Sequence, residues 1–196
     1  MIKLFGTHPN LKVINSSANI QNEIKENGEV NPHIWTSMTN YISQVETITN
    51  ELSILNPENE AIYQANCANY IKSLQDLKLR YDEELQNLNG KKAICLNEAF
   101  SYLAHDIKID TILVETDHEE STLSAETLKN LIQEMKKNNI QIILVDEEDN
   151  LKNAQTLALE TGAKVIKLNS GMNGDLNKNS YLNAMTENLT ILKEIK

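Results

Sequence analysis

The chain has almost no arginine. Arg80 is the only one among 196 residues, against 17 lysines. This argues against an arginine finger or a bidentate arginine clamp on phosphate as the basis of function. Basic charge is scarce as well: 18 Lys and Arg face 28 Asp and Glu, for a net charge of −10. Nucleic-acid binding needs clustered cations, and so does docking on anionic lipid, so both are poor expectations. No apolar run approaches the roughly 20 residues of a membrane span. The start of the chain also lacks the 7–15-residue apolar core of a signal peptide, so its first part, taken alone, reads as cytoplasmic. Cysteine is limited to Cys67 and Cys95. They have no metal-type spacing, fall in apolar patterns and read as two buried thiols. A Gly-rich phosphate loop, a G-x-S-x-G elbow and an H-E-x-x-H pair are all missing, and nothing calls for an enzyme.

What is present is helical and strand periodicity in a chain of ordinary globular composition, 40% hydrophobic and 23% charged. Asparagine is abundant, with 26 copies, so one Asn carries little meaning by itself. Alternation over 11–16 predicts a short strand. Asn31-Pro32 marks a turn into a helix over about 33–54, whose apolar residues Ile34, Met38, Tyr41, Val45, Ile48, Leu52 and Leu55 recur in steps of 4 and 3. Asn56-Pro57 ends it. A second helix over about 58–88, about 45 Å long at 1.5 Å per residue, carries a stripe from Tyr63 to Leu88 and stops at Asn89-Gly90. This length suits a coiled-coil arm or a beam between two lobes.

Beyond residue 90 the pattern becomes βα repeats. Strands are expected at 93–96, 111–114, 141–145 and 164–168, with helices at 99–105, 125–138, 150–161 and 179–195. Short apolar strands alternating with helices predict an α/β fold with a four-stranded parallel sheet flanked by helices. Such sheets bind ligands at the carboxyl ends of their strands. Oxygen donors crowd those tips: Asn97-Glu98, the 115–120 run with His118, Asp146-Glu147-Glu148-Asp149, and Asn169-Ser170. A cation or a small polar ligand fits such tips better than a nucleotide does. The competing reading is a set of ordinary polar loops in an acidic protein. His33 opens a helix, where the dipole favours the neutral, metal-binding imidazole. On composition alone the preferred reading is a surface capping histidine with Trp35 packed beside it. His105 reads as structural, at a helix end that welcomes positive charge.

Asn31-Pro32-His33-Ile34-Trp35 resembles the D/N-P-H-x-W signature of the metal-binding substrate-binding lipoproteins of ABC importers, the adhesin-type zinc and manganese receptors of cluster A-I. The likeness continues through Asn56-Pro57-Glu58-Asn59 and Tyr63-Gln64-Ala65-Asn66. It extends to Asn97-Glu98-Ala99-Phe100-Ser101-Tyr102-Leu103-Ala104, to Leu159-Glu160-Thr161-Gly162-Ala163-Lys164-Val165, and to Tyr181 through Leu192. It covers essentially the whole chain, in order.

The resemblance implies a two-lobed receptor joined by a rigid helix, with zinc or manganese held between the lobes and delivered to a membrane permease. On that basis the chain divides into a partial N-terminal lobe (1–56), an interlobe helix (57–90) and a C-terminal α/β lobe (91–196). The family's second N-lobe histidine falls on His33, its third ligand on Asn97 and its fourth on Asn169. The first would lie upstream of Leu11, so the chain is expected to be N-terminally truncated. A signal segment and lipid anchor would likewise lie upstream, which moves the expected location outside the cytoplasm. Asn is a weak zinc ligand. Glu98 beside Asn97, and Asp146 and Glu147 at the third strand tip, are the substitute carboxylates. The alternatives are a relative with a degenerate ligand set that binds another small polar ligand or none, and an α/β enzyme using Glu98 and Asp146. An exposed stripe on the first helix is expected to promote self-association.

Overall fold

Four short aliphatic runs become the four strands of one sheet: β1 (Lys92–Cys95), β2 (Asp110–Leu113), β3 (Ile142–Asp146) and β4 (Lys164–Leu168). The structure is a computed structural model and describes residues 11–21, 28–114, 123–149, 151–174 and 176–195. All strand pairings are parallel, in the order β2-β1-β3-β4. The central strand β3 is buried along its whole length.

Two-residue alternation sorts the strand side chains onto two faces. Ala93, Cys95, Ile142, Leu144, Ile166 and Leu168 point to one face. They pack there on the long helix α2 (Glu60–Glu84), on α3 (Ser101–Asp106) and on α6 (Ser180–Leu192). Ile94, Ile143 and Val145 point to the other face, against α4 (Ala125–Asn138) and α5 (Lys152–Thr161). Local chemistry sets the helix ends. Ser124 caps α4 by accepting from the Thr127 N–H. Gly162 ends α5 in the left-handed region at φ 77°.

The chain leaves β1 towards β2 on one side of the sheet and leaves β3 towards β4 on the other. The carboxyl ends of β1 and β3 therefore flank the topological switch point, where such sheets form their crevice.

The first α-helix among the described residues, α1 (Met38–Leu55), follows a 3₁₀ turn at Ile34–Thr36 and packs beside α2. Ser37 caps it, accepting from the Asn40 N–H. The expected continuous helix over 33–54 is thus broken at Ser37, whose backbone is extended (ψ 124°). The apolar stripe is buried only at its start: Met38 is 2% exposed, while Ile48, Leu52 and Leu55 are 36–46% exposed. Two hydroxyl residues, Thr49 and Ser53, are buried instead, each donating to the carbonyl four residues earlier.

Three further expectations need correction. Residues 11–16 form no strand. Leu11 and Val13 are exposed, and Asn15 Oδ1 turns the chain by accepting from the backbone N–H and hydroxyl of Ser17. Alternation supplies a face but no partner strand. The long helix is 25 residues of α-helix with 3₁₀ turns at both ends, rather than one helix over 58–88. Cys95 is buried as expected, whereas Cys67 is only half-buried, on the outer half of α2.

Candidate functional site

The segment 31–37 crosses the strand tips and is stitched to them by side chains. Asn31, 2% exposed, donates from Nδ2 to the Glu98 carbonyl (3.1 Å) and to Ser101 Oγ (2.7 Å). Tyr102 donates to the Asn31 carbonyl (3.0 Å). Thr36 Oγ1 lies 2.6 Å from the Ala99 carbonyl, and Ser37 Oγ donates to Asp106 Oδ2 at 2.7 Å. On the far side Trp35 Nε1 donates to the Ser170 carbonyl (2.9 Å), and Tyr181 donates to the Trp35 carbonyl (2.8 Å). Tyr181 also stacks on Tyr41 of α1, with ring centroids 3.7 Å apart.

This stitching brings His33 to the loop after β1. Its Nδ1 lies 2.8 Å from Asn31 Oδ1 and 3.7 Å from Glu98 Oε1, and its ring lies 5.3 Å from that of Trp35. His33 and Glu98 are both mostly buried, at 15% and 18% side-chain exposure. Two of the four sequence-expected site residues, 65 positions apart in the chain, therefore meet directly.

The other two meet carboxylates. Asn97 Oδ1 accepts from the Ala99 N–H (2.9 Å), while its Nδ2 donates to Asp149 Oδ2 (3.0 Å). Asn169 Oδ1 accepts from the Gly171 N–H (2.8 Å), while its Nδ2 donates to Glu147 Oε1 (2.6 Å). Each asparagine closes a local Asx turn with its oxygen and holds an acidic side chain from the β3 tip with its nitrogen. The Asn97–Asp149 bond spans the switch point between β1 and β3. Each Oδ1 still has a second lone pair.

Asp146, the other substitute carboxylate, is 6% exposed and accepts from the Glu148 N–H (3.0 Å). Glu147 titrates above the ordinary carboxylate range, first through desolvation and then through repulsion from Glu187, Asp146 and Glu148. The tips therefore form a patch of negative potential suited to a cation.

Among the described residues, no group of three His, Cys, Asp or Glu side chains is placed to hold a metal ion. His8 and the 115–120 run with His118 lie outside the described residues. His105 ends α3, as expected. Sequence reasoning gave no site role to Asn31 or Ser101, and named Asp149 only within the acidic run at the third strand tip. Asn31 alone had a local signal, because an Asx residue two positions before another can turn back onto its N–H.

Carboxylates and amides at the strand tips beside the switch point of a parallel sheet, with one imidazole brought to the loop after β1, are the arrangement of a ligand-binding α/β fold. The chain belongs to the family of the zinc-uptake complex component A, periplasmic (ZnuA), which matches residues 1–195. It is 32% identical over 170 residues to the zinc-binding lipoprotein AdcA of Streptococcus pneumoniae, which covers 85% of this chain and 34% of AdcA. A crystal structure of ZnuA superimposes with a TM-score of 0.80 at 30% identity, covering 97% of this chain and 72% of that one. The solute-binding protein FpvC of Pseudomonas aeruginosa, in complex with Mn2+, superimposes with a TM-score of 0.83 at 26% identity, covering 94% of this chain and 69% of that one. The chain spans about a third of the length of AdcA.

Proposed function

We propose that this chain is the metal-capturing part of an extracytoplasmic solute-binding component of an ABC importer, and that its cargo is a divalent cation, zinc or manganese. The observation that carries the reading is the meeting of His33 with Glu98 at the loop after β1, next to the switch point. An imidazole beside a mostly buried carboxylate, with two amide-held carboxylates after β3, suits a cation. The names of the relatives support the same class: AdcA is called zinc-binding, and FpvC was solved with Mn2+.

On this reading His33 supplies the nitrogen ligand, while Glu98, whose Oε1 lies 3.7 Å from Nδ1, supplies negative charge beside the ring. Asn97 and Asn169 offer only the remaining lone pairs of their amide oxygens, which suit manganese better than zinc. Their other contribution is to hold Asp149 and Glu147 at the rim, where those charges offset the cation's desolvation. Residues 1–56 act as part of an N-terminal lobe, 57–90 as the connecting helix, and 91–196 as the C-terminal lobe. The loaded protein docks on a membrane permease.

Calorimetric titration of the chelator-stripped chain with zinc chloride and manganese chloride tests this. His33→Ala is expected to weaken binding by about 100-fold, equal to about 2.7 kcal/mol. Metal binding indifferent to His33, or no binding at all, overturns the reading. The second outcome favours a relative whose cleft takes another small polar ligand or none. The local Asx turns of Asn97 and Asn169 are the observation on that side.

A further inference from the structure

We infer that Asn31 is a positioning residue that fixes which nitrogen of His33 carries the proton, and so which one faces the metal. The inference rests on the reading that His33 is a metal ligand. It follows from which groups can donate and which can only accept.

The two ends of the Asn31 amide are told apart by their partners. One end lies 3.1 Å from the Glu98 carbonyl, which only accepts, so that end is Nδ2. The other end lies 3.1 Å from the His33 backbone N–H, which only donates, so that end is Oδ1. The same Oδ1 lies 2.8 Å from His33 Nδ1. An amide oxygen cannot donate, so Nδ1 must, and the proton of the neutral ring sits there. Glu98 Oε1, 3.7 Å from Nδ1, adds negative potential on the same edge of the ring. Nε2 is then the nitrogen with the lone pair.

Ring tautomer and orientation in metal sites are commonly set by such an acceptor behind the ligand. Here that acceptor is also tied to the loop after β1. Asn31 Nδ2 bonds the Glu98 carbonyl and Ser101 Oγ, and Ser101 Oγ itself donates to the Glu98 carbonyl at 3.0 Å. One buried amide therefore sets both the proton on His33 and the distance between His33 and Glu98.

The test is long-range 1H–15N correlation spectroscopy on the metal-free, 15N-labelled chain, at an alkaline pH where imidazole is neutral. The His33 signals are assigned by their loss in His33→Gln. The expected result is a protonated Nδ1 in the wild type and a shift towards protonated Nε2 in Asn31→Ala. Asn31→Asp keeps an acceptor behind the ring and restores the Nδ1 proton. Thr36→Val, which removes a neighbouring bond of the same segment, leaves the tautomer unchanged.

Zinc affinity should follow the tautomer, falling on the order of 10–100-fold in Asn31→Ala and recovering in Asn31→Asp. A wild-type His33 protonated on Nε2 overturns the inference, even if Asn31→Ala fails to fold. So does a tautomer indifferent to Asn31→Ala, or affinity lost equally in Asn31→Ala and Asn31→Asp. The expected tautomers in a chain that takes up no zinc would uphold Asn31's hold on the ring and refute the metal reading alone.

Discussion

The two halves of α2 present the same kind of apolar stripe to different surroundings. Leu74, Leu77 and Tyr81 are no more than 5% exposed, in the core that continues through Leu85 and Leu88 to the sheet. Tyr81 also donates to the Met185 carbonyl at 2.6 Å. In the outer half Tyr63, Cys67 and Tyr70 are only half-buried, beside α1, and Ile62 is 59% exposed. On α1, Ile54 is 70% exposed. The α/β part buries its strands and the helix faces packed on them, with Leu159, Met172 and Leu176 exposed outside that core, whereas the far end of the α1–α2 hairpin leaves much of its own stripe open. Periodicity shows that a helix has an apolar face. It does not show what covers that face.

The largest expected effect separates these regions by stability. Leu88 is fully buried against the sheet core. Leu88→Ala should destabilise the chain by about 2–5 kcal/mol, through lost transfer energy and the cavity left behind. Leu52→Ala, on the exposed part of α1, should cost no more than about 0.5 kcal/mol. Urea denaturation of both variants measures the gap. If Leu52→Ala proves as costly as Leu88→Ala, the hairpin end is covered in solution, by self-association for instance, and sedimentation would show it.

A smaller effect is expected at the seam between the regions. Thr36 is fully buried, and its hydroxyl lies 2.6 Å from the Ala99 carbonyl and 3.0 Å from that of His33. Thr36→Val keeps the shape but leaves a buried carbonyl without that donor, at a cost of about 1–3 kcal/mol. The loss should be local. Amide hydrogen exchange is expected to quicken over the start of α1 and to stay unchanged in β1 and β3. Equal acceleration in the sheet would mean that the two regions open together as one unit.

The same division explains what was legible in the sequence. The four strands and their order in the chain follow from short aliphatic runs between turn residues, and all four form. Local information was enough there, because a buried parallel strand is apolar on both faces. The 11–16 strand failed for the converse reason: alternation is necessary for a half-buried strand, but a partner has to exist. At the site, His33 and Glu98 were legible as individual residues, and their meeting is a tertiary fact. Asn97 and Asn169 were legible as positions. Whether an amide turns its oxygen or its nitrogen to a neighbour depends on partners 52 and 22 residues away. No spacing rule carries that.

The smallest effect is electrostatic and lies at the seam too. Asp106 ends α3 and accepts from Ser37 Oγ, the residue that caps α1. Burial raises its carboxyl above the ordinary range, although Ser37, the Thr39 backbone N–H, Lys78 and His105 all pull the other way. A raised acid pKa means that the folded state holds its proton more tightly than the unfolded chain does. This contribution to stability is fully present below the ordinary aspartate range and is lost as pH rises through the folded-state value. Above that, the buried charge is a constant burden. Asp106→Asn keeps an oxygen to accept from Ser37 and removes the charge. At neutral pH the variant should therefore be slightly more stable than the wild type, and the difference should shrink as the pH falls below the carboxylate range. Urea midpoints measured across that range read the sign directly. A variant less stable than the wild type at neutral pH would show that attraction to Lys78 and His105 outweighs burial, and that the seam is held by charge as well as by hydrogen bonds.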